Sequence, residues 1–287
     1  MFERSYEMAQ NSPPSMEWEA YAAAVRKQLS DLLASGNCDE AVYQRLIEQH
    51  PCLLPWFYGT FGGGHHGLVH GAVVTQPRLA GIGGKQPDFL MVVRDSASVY
   101  VVLVELESPC KRWFTKVGTP TAEFSQALAQ IRSWKTWFED PGKAESFVHE
   151  YQVPRAFRDR RFEQRYLLIY GRRGELYESG FAASRSQHQQ PDERLVSYDY
   201  LEPSQNYANA VTTRVNANGY EAHSLPPTLE LGPFQASDLA MIKGKADAVR
   251  AHPMMTEERA AFLASRFDYW DDWVGNGERG GHGFEVE

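Results

Sequence analysis

Two apolar runs joined by a short polar turn constrain the fold of this chain more than any other feature. Residues 86–94 read QPDFLMVVR, and residues 99–107 read VYVVLVELE. Both runs contain several β-branched or aromatic residues, which favour strands. The segment between them, DSAS, is typical of a tight turn. The sequence therefore predicts a β-hairpin over residues 86–107.

The register of this hairpin brings acidic residues together. If the turn is centred between Ser96 and Ala97, paired residue numbers sum to 193 (88 + 105), and Asp88 lies opposite Glu105. Opposed Cβ atoms are about 5 Å apart. Glu107 follows on the same face, about 6.5–7 Å along the strand. Carboxylates beside buried strands need their charge offset, and a divalent cation that offsets it can also promote phosphodiester hydrolysis. The alternative is an edge strand whose acidic side chains face water.

Helices and further strands are predicted on both sides of the hairpin. Two helices precede it, over about residues 16–35 and 39–50, and GLVHGAVVTQ reads as a first strand. A helix over about residues 121–138 follows, with Gln126 and Gln130 at the border of its apolar stripe. RYLLIYG reads as a strand, and ERLVSYDYLE as a short strand that runs into a helix. This order predicts an α/β fold, a mixed β-sheet flanked by helices.

Composition divides the chain into three parts. Residues 1–15 predict a flexible N-terminal tail, and residues 16–207 contain the α/β core. From about residue 208 the sequence becomes linker-like, with a proline pair and many turn residues. Two helices are then predicted, roughly over residues 236–250 and 255–272. We therefore predict that residues 208–287 form a linker and a small C-terminal helical appendage.

Charge, hydropathy and cysteine content exclude several classes of protein. The net charge of −8 argues against a protein that coats nucleic acid through bulk charge. No apolar run is long enough to span a membrane, and the first residues lack the basic start and apolar stretch of a signal peptide, which predicts a cytoplasmic protein. Cys38, Cys52 and Cys110 are too few and too irregularly spaced for a disulfide framework or a zinc site, so reduced thiols are predicted.

Arginines are concentrated between residues 154 and 173. Taken alone, this segment is typical of a solvated surface. Beside a metal site, it would become a candidate track for DNA phosphates. The seven arginines are Arg155, Arg158, Arg160, Arg161, Arg165, Arg172 and Arg173.

Two other motifs predict ordinary loops. His65, His66 and His70 could bind a transition metal, but no acid or cysteine stands at ligand spacing nearby, which favours a loop. The segment GIGGK lacks the Ser/Thr and the spacing of a phosphate-binding P-loop, which argues against nucleotide binding there.

Several short motifs occur in an order that carries a family resemblance. Pro87-Asp88 is followed by Glu105-Leu106-Glu107 on the next strand and by Gln130 on a helix. Around them stand LIEQHPCLL, YLLIYGRRGEL and LVSYDYLEP. Over about residues 40–203 this set resembles the DUF4263 domain of Shedu-type anti-phage defence proteins, within the PD-(D/E)XK nuclease superfamily. The resemblance implies a PD-(D/E)XK nuclease-like core.

The resemblance also implies roles for individual residues. Asp88 and Glu105 would hold Mg²⁺ or Mn²⁺, and Gln130 would orient water or substrate. Glu107 occupies the position of the superfamily's lysine, and would act as a general base or as a further metal ligand. Lys111 is expected to be a poor geometric substitute for that lysine. An acid from the first helix often joins such sites, and either Glu40 or Glu48 could supply it.

These implications amount to a metal-dependent DNA endonuclease. DNA would be its partner, and the C-terminal helices would mediate a homo-oligomer, a dimer or a tetramer. The alternatives are a catalytically inactive module that binds DNA or a protein, and a repair or restriction nuclease on the same scaffold. An unrelated α/β fold with a surface-acid hairpin also remains open.

Overall fold

A mixed eight-stranded β-sheet is the centre of the computed structural model, which describes residues 5–62, 67–79, 86–178, 180–277 and 285–287. The spatial strand order is β5-β4-β3-β2-β1-β6-β7-β8. This arrangement confirms the predicted α/β class. The strands are β1 (Leu68–Thr75), β2 (Phe89–Arg94), β3 (Ser98–Leu106), β4 (Arg161–Ile169), β5 (Glu193–Val196), β6 (Val211–Asn216), β7 (Gly219–Ser224) and β8 (Ile242–Lys243).

The predicted hairpin register is confirmed. Strands β2 and β3 pair antiparallel, from Phe89 opposite Val104 to Arg94 opposite Val99, so each pair of residue numbers sums to 193. Parallel pairings of β3 with β4 and of β4 with β5 make the sheet mixed. Every residue of β3 is buried, because helices cover both faces of the sheet at this point.

The helices divide between the two faces of the sheet. Helix α4 packs on the face reached by Val101 and Leu103, whereas α1 and α2 pack on the face reached by Val102 and Val104. The alternation of side chains along a strand therefore places Glu105 on the α4 face. The helices are α1 (Trp18–Ala34), α2 (Glu40–Gln49), α3 (Phe57–Phe61), α4 (Ala122–Phe138), α5 (Pro141–Glu150), α6 (Arg173–Glu178), α7 (Ala182–His188), α8 (Pro233–Leu239), α9 (Lys245–Ala251) and α10 (Glu257–Gly275).

The segment predicted as a linker after residue 208 forms strands instead. Strand β6 pairs parallel with β1, and β7 pairs antiparallel with β6, so both extend the central sheet. The turn between them places Gly219 at φ +98°, a conformation that favours glycine. The linker prediction was wrong because Val211, Thr212 and Thr213 are buried against β1, and the turn-rich composition masked this strand.

Two predicted helices also differ from the structure. The helix expected after β5 is a single 3₁₀ turn over Tyr198–Tyr200, which ends shortly before Pro203. The helix expected over residues 236–250 is interrupted by β8 and by Gly244, whose φ of +71° is left-handed. Among the helices of the described ranges, none has both the length and the apolar character needed to cross a membrane.

Candidate functional site

Asp88 stands at the mouth of the hairpin, one residue before β2. Its backbone N–H donates to Val104 O at 2.9 Å, and Val104 is the residue that pairs with Phe89, so the regular pairing of β2 with β3 ends before Asp88. Its carboxylate Oδ2 accepts a hydrogen bond of 2.7 Å from the backbone N–H of Leu106. The side chain of Asp88 is therefore fixed across the end of β3.

Glu105 is the most constrained acid of the site. It is 6% exposed, and its Oε1 accepts a 2.5 Å hydrogen bond from Gln130 Nε2 on α4. Its Oε2 is buried and has no hydrogen-bond partner among the described residues. A buried carboxylate oxygen without a partner is costly, so this oxygen marks a position where a further group can bind.

Burial and mutual repulsion raise the proton affinity of these acids. Burial raises the pKa of Asp88, and the charges of Glu40 and Glu107 raise it further, although the N–H of Leu106 opposes them. Burial likewise raises the pKa of Glu105, with the charge of Asp88 as the next largest cause. Opposite charge placed among these groups would lower the pKa of both carboxyl groups.

Lys111 reaches two of the acids, Glu40 and Glu107. Its Nζ lies 2.7 Å from Glu40 Oε1 and also contacts Glu107 Oε2. The chain turns at once after β3, with Lys111 N donating to Ser108 O at 3.2 Å, and this turn brings the lysine back to the acids. Burial opposes the charge of Lys111, but Glu107 and Glu40 raise its pKa. An ammonium group therefore stands at the edge of the site.

Glu107 lies between this ammonium and the buried acids. Its side chain is 12% exposed. Burial raises its pKa, and the hydrogen bond with Lys111 opposes that shift. The position expected to hold the family's lysine therefore holds a carboxylate that is itself paired with a lysine from the following loop.

The two first-helix acids have different surroundings. Glu40, at the N-terminus of α2, accepts a 3.0 Å hydrogen bond from Ser108 N and contacts Lys111, so it belongs to the acidic group. Glu48 is buried near β1, where it accepts a 2.6 Å hydrogen bond from Thr75 Oγ1. Burial alone would raise the pKa of Glu48, but hydrogen bonds to His223 and Thr75 lower it.

A disulfide closes the same end of the site, contrary to the predicted reduced thiols. Cys38 and Cys110 are bonded, with Cα atoms 5.4 Å apart, and Cys52 is a buried free thiol. Cys38 lies just before α2, and Cys110 lies next to Lys111. The prediction failed because the two cysteines are 72 residues apart, and only the docking of α2 beside β3 brings them together.

Tyr198 is a neighbour that the sequence did not single out as a site residue. Its hydroxyl is buried and has no hydrogen-bond partner among the described residues. Burial raises its pKa, and the charges of Asp88 and Glu40 raise it further, so it lies within their electrostatic reach. The motif LVSYDYLEP contains it, but short-range pattern alone gives no reason to select this tyrosine.

The arginines do not form one continuous track. Arg161 and Arg165 contact Glu163. Arg172 and Arg173 follow β4 at the end that carries Glu105, and both bind Asp199. Arg160 donates to a backbone carbonyl near the β2–β3 turn. Arg155 and Arg158 line a separate cleft.

The acidic group offers two carboxylates for a cation rather than a closed set of ligands. No three His, Cys, Asp or Glu side chains in the described ranges have the arrangement of a metal-ligand set. Mg²⁺ is usually bound by one or two carboxylates together with waters and substrate phosphates. Asp88 and Glu105 meet that requirement, because Glu105 Oε2 is buried without a partner.

Of the histidine loop and the GIGGK segment, only His70 lies in the described ranges. His70 Nε2 lies 3.1 Å from Gln152 O, away from the acidic group. His65, His66 and the segment GIGGK lie outside the described residues.

Comparison with known families finds one family whose model matches this chain. Residues 37–201 match the family described as Shedu protein SduA, C-terminal, and this match covers more than half of the chain. None of the curated proteins matches the chain. The matched range contains the hairpin, α2, α4 and every acid discussed above.

Proposed function

Because the chain belongs to the Shedu family through its SduA C-terminal domain, we propose that it is a divalent-cation-dependent DNA endonuclease of anti-phage defence. The family match confirms the predicted Shedu resemblance. The observation that carries the nuclease proposal is Glu105, a buried carboxylate within electrostatic reach of Asp88, whose Oε2 has no hydrogen-bond partner among the described residues. The PD-(D/E)XK assignment and assembly into a homo-oligomer stay predictions.

In this proposal Asp88 and Glu105 hold the cation. When bound, Mg²⁺ or Mn²⁺ lowers the pKa of a coordinated water and neutralises charge on the phosphate. The backbone N–H of Leu106 keeps Asp88 in place, and Gln130 Nε2 does the same for Glu105. Both acids are therefore preorganised on a strand pair inside the core, as a catalytic group needs.

Glu107 would accept a proton from the attacking water, and Lys111 would stabilise the negative charge that develops on the phosphate. Lys111 contacts one oxygen of Glu107, which leaves the other oxygen to accept a proton from the attacking water. Burial raises the pKa of Glu107, and a carboxylate with a pKa nearer neutrality is a better general base. The Lys111 ammonium would then stabilise negative charge on the phosphate, the role left open by the glutamate at position 107.

A DNA-cleavage assay tests this proposal. We expect purified protein to nick supercoiled DNA with Mg²⁺ or Mn²⁺ and to be inactive in EDTA. Asp88→Asn and Glu105→Gln should each lower the rate roughly 100-fold or more, since each removes a metal ligand. A parallel assay with linear DNA shows whether free DNA ends change the cleavage rate.

The matched control is Glu123→Gln, which neutralises an exposed acid in the first turn of α4. It should leave the cleavage rate unchanged, and thermal unfolding of all three variants should stay cooperative. Cleavage in EDTA, or full activity in both site variants, would contradict the proposal.

A catalytically inactive DNA-binding module is the second candidate. It is favoured by the lack of a three-residue ligand set in the described ranges and by the pairing of Glu107 with Lys111. Calorimetric titration with Mn²⁺ separates the two. An inactive module should bind DNA without tight metal binding, whereas the nuclease should bind Mn²⁺, and Glu105→Gln should weaken that binding.

A further inference from the structure

A cleft separate from the acidic site is lined by arginines. Its volume is about 710 Å³, and it lies between the segment after α5 and the β6–β7 turn. Arg78, Arg155 and Arg158 line it, together with Glu150 and Asn216. It therefore gathers three guanidinium groups against one carboxylate, in a chain whose net charge is −8.

The guanidinium groups in this cleft are available to a ligand. Arg78 and Arg155 make no ion pair with any of the described residues, and Arg158 donates only its Nε, to Val153 O at 3.3 Å. All three side chains are exposed. By contrast, Arg165 and Arg172 bind Glu163 and Asp199.

The floor of the cleft is held by hydrogen bonds from buried side chains. Tyr151 OH donates to Arg78 O at 2.8 Å, and Tyr220 OH donates to Tyr151 O at 2.8 Å. Gln152, which also lines the cleft, has a left-handed φ of +47° and lies close to Gly219. The backbone beneath the arginines is thus held in place by these hydrogen bonds.

Chemistry and size together indicate the class of ligand. Arginine binds phosphate oxygens through two parallel N–H donors, and three arginines suit more than one phosphate group. The volume falls within the range of about 300–1,000 Å³ that is typical of small-molecule sites. Val153, Pro154 and Val215 add an apolar wall that can contact a sugar or a base.

We propose that this cleft binds a phosphate-bearing ligand, either a free nucleotide or the backbone of a nucleic acid strand. Arg78 lies two residues after Gln76, whose N–H donates to Asp88 O, so the cleft begins near the strand end that carries Asp88. The proposal does not depend on catalysis, because the cleft and the acidic group share no residue.

Binding measured in EDTA tests the proposal apart from cleavage. The probes are ATP, followed by calorimetry, and a fluorescein-labelled 12-nucleotide single-stranded DNA, followed by anisotropy. In the double variant Arg155→Gln/Arg158→Gln, the Kd of the probe that uses the cleft should rise about tenfold or more, because hydrogen bonds from charged groups are lost. For DNA, the slope of log K against log salt should also fall by about 0.7 for each phosphate contact removed.

Matched controls make the result specific. Arg250→Gln removes an exposed arginine of α9 that pairs with Asp247 outside the cleft, and should leave both affinities unchanged. Arg78→Gln, which removes the third arginine of the cleft, should weaken binding of the same probe. If the cleft variants bind ATP more weakly, the cleft is a nucleotide site. If they bind only the DNA more weakly, the cleft is a site for the nucleic acid backbone. The proposal is overturned if neither probe binds, or if the cleft variants bind both probes as the wild type does.

Discussion

At the scale of single residues, Lys111 is the cation that contacts the acids of the candidate site. The sequence resemblance implies a lysine at the position of Glu107, and Lys111 brings an ammonium group into contact with Glu107 from the loop after β3. Its side chain is 31% exposed, so a phosphate can approach it from solvent. We therefore propose that Lys111, four positions after Glu107, supplies the positive charge that the resemblance assigns to that lysine.

Substituting Lys111 tests this compensation. We expect Lys111→Met to lower the rate of DNA nicking about 100-fold, since a group that stabilises transition-state charge is lost. Lys111→Arg, which keeps the charge, should restore part of the activity. Lys116→Met, on the exposed part of the same loop, serves as the control. Equal rates for Lys111→Met and the wild type, in single-turnover assays, would remove Lys111 from the mechanism.

At the scale of elements, the start of α2 and the loop after β3 form one unit. The Cys38–Cys110 disulfide joins them, and Ser108 donates from its Oγ to Cys38 O at 2.7 Å and from its N–H to Glu40 Oε1 at 3.0 Å. Asp39 caps α2 by accepting from Ala41 N. The position of Glu40 therefore depends on contacts made across 70 residues of sequence.

Removing the disulfide should loosen this unit. The cross-link closes a loop between residues 72 positions apart, for which the chain-entropy estimate is about 4 kcal/mol. We expect Cys38→Ser/Cys110→Ser to lower the free energy of unfolding in urea by up to this amount. Dithiothreitol should destabilise the wild type similarly and leave the double variant unchanged. Identical unfolding curves with and without the reductant would show that the cross-link adds no stability.

At the scale of the whole molecule, Arg259 joins segments that are distant in sequence. It is 2% exposed, and its guanidinium donates to Pro13 O at 2.8 Å, Leu229 O at 2.8 Å and Glu287 O at 2.9 Å. Trp270 adds a hydrogen bond to Glu287. The N-terminal segment, the chain after β7 and the last residues thus meet on α10, beside the sheet that contains the candidate site.

Arg259→Leu should therefore destabilise the whole fold. The substitution removes the donor to Pro13 O and Leu229 O and one of the two donors to Glu287 O, which costs about 1–3 kcal/mol for each carbonyl group left unpaired where water cannot reach. We expect the urea midpoint to fall well below that of the wild type, with a single cooperative transition. Arg250→Leu, an exposed arginine of α9, is the matched control. Equal midpoints for the two variants would contradict this role.

Local patterns were sufficient to predict the hairpin and its acids. The turn at Ser96-Ala97 and the alternation along β2 and β3 fix the register, because a shift of one residue would send every side chain to the opposite face. That register predicts Asp88 opposite Glu105, whereas the N–H of Asp88 bonds to Val104 O, one residue earlier on β3. The apolar stripe of α4 is likewise local, and it agrees with the structure.

The sequence by itself therefore determined the α/β class, the central hairpin and the acidic pair. Only the tertiary structure decided that Lys111 joins the acids, that Glu40 rather than Glu48 stands beside it, and that Cys38 meets Cys110. It also decided that β6 and β7 extend the sheet. The physical reason is range: turns and side-chain alternation act between near neighbours, whereas loop ends and helix termini are positioned by contacts between segments far apart in the chain.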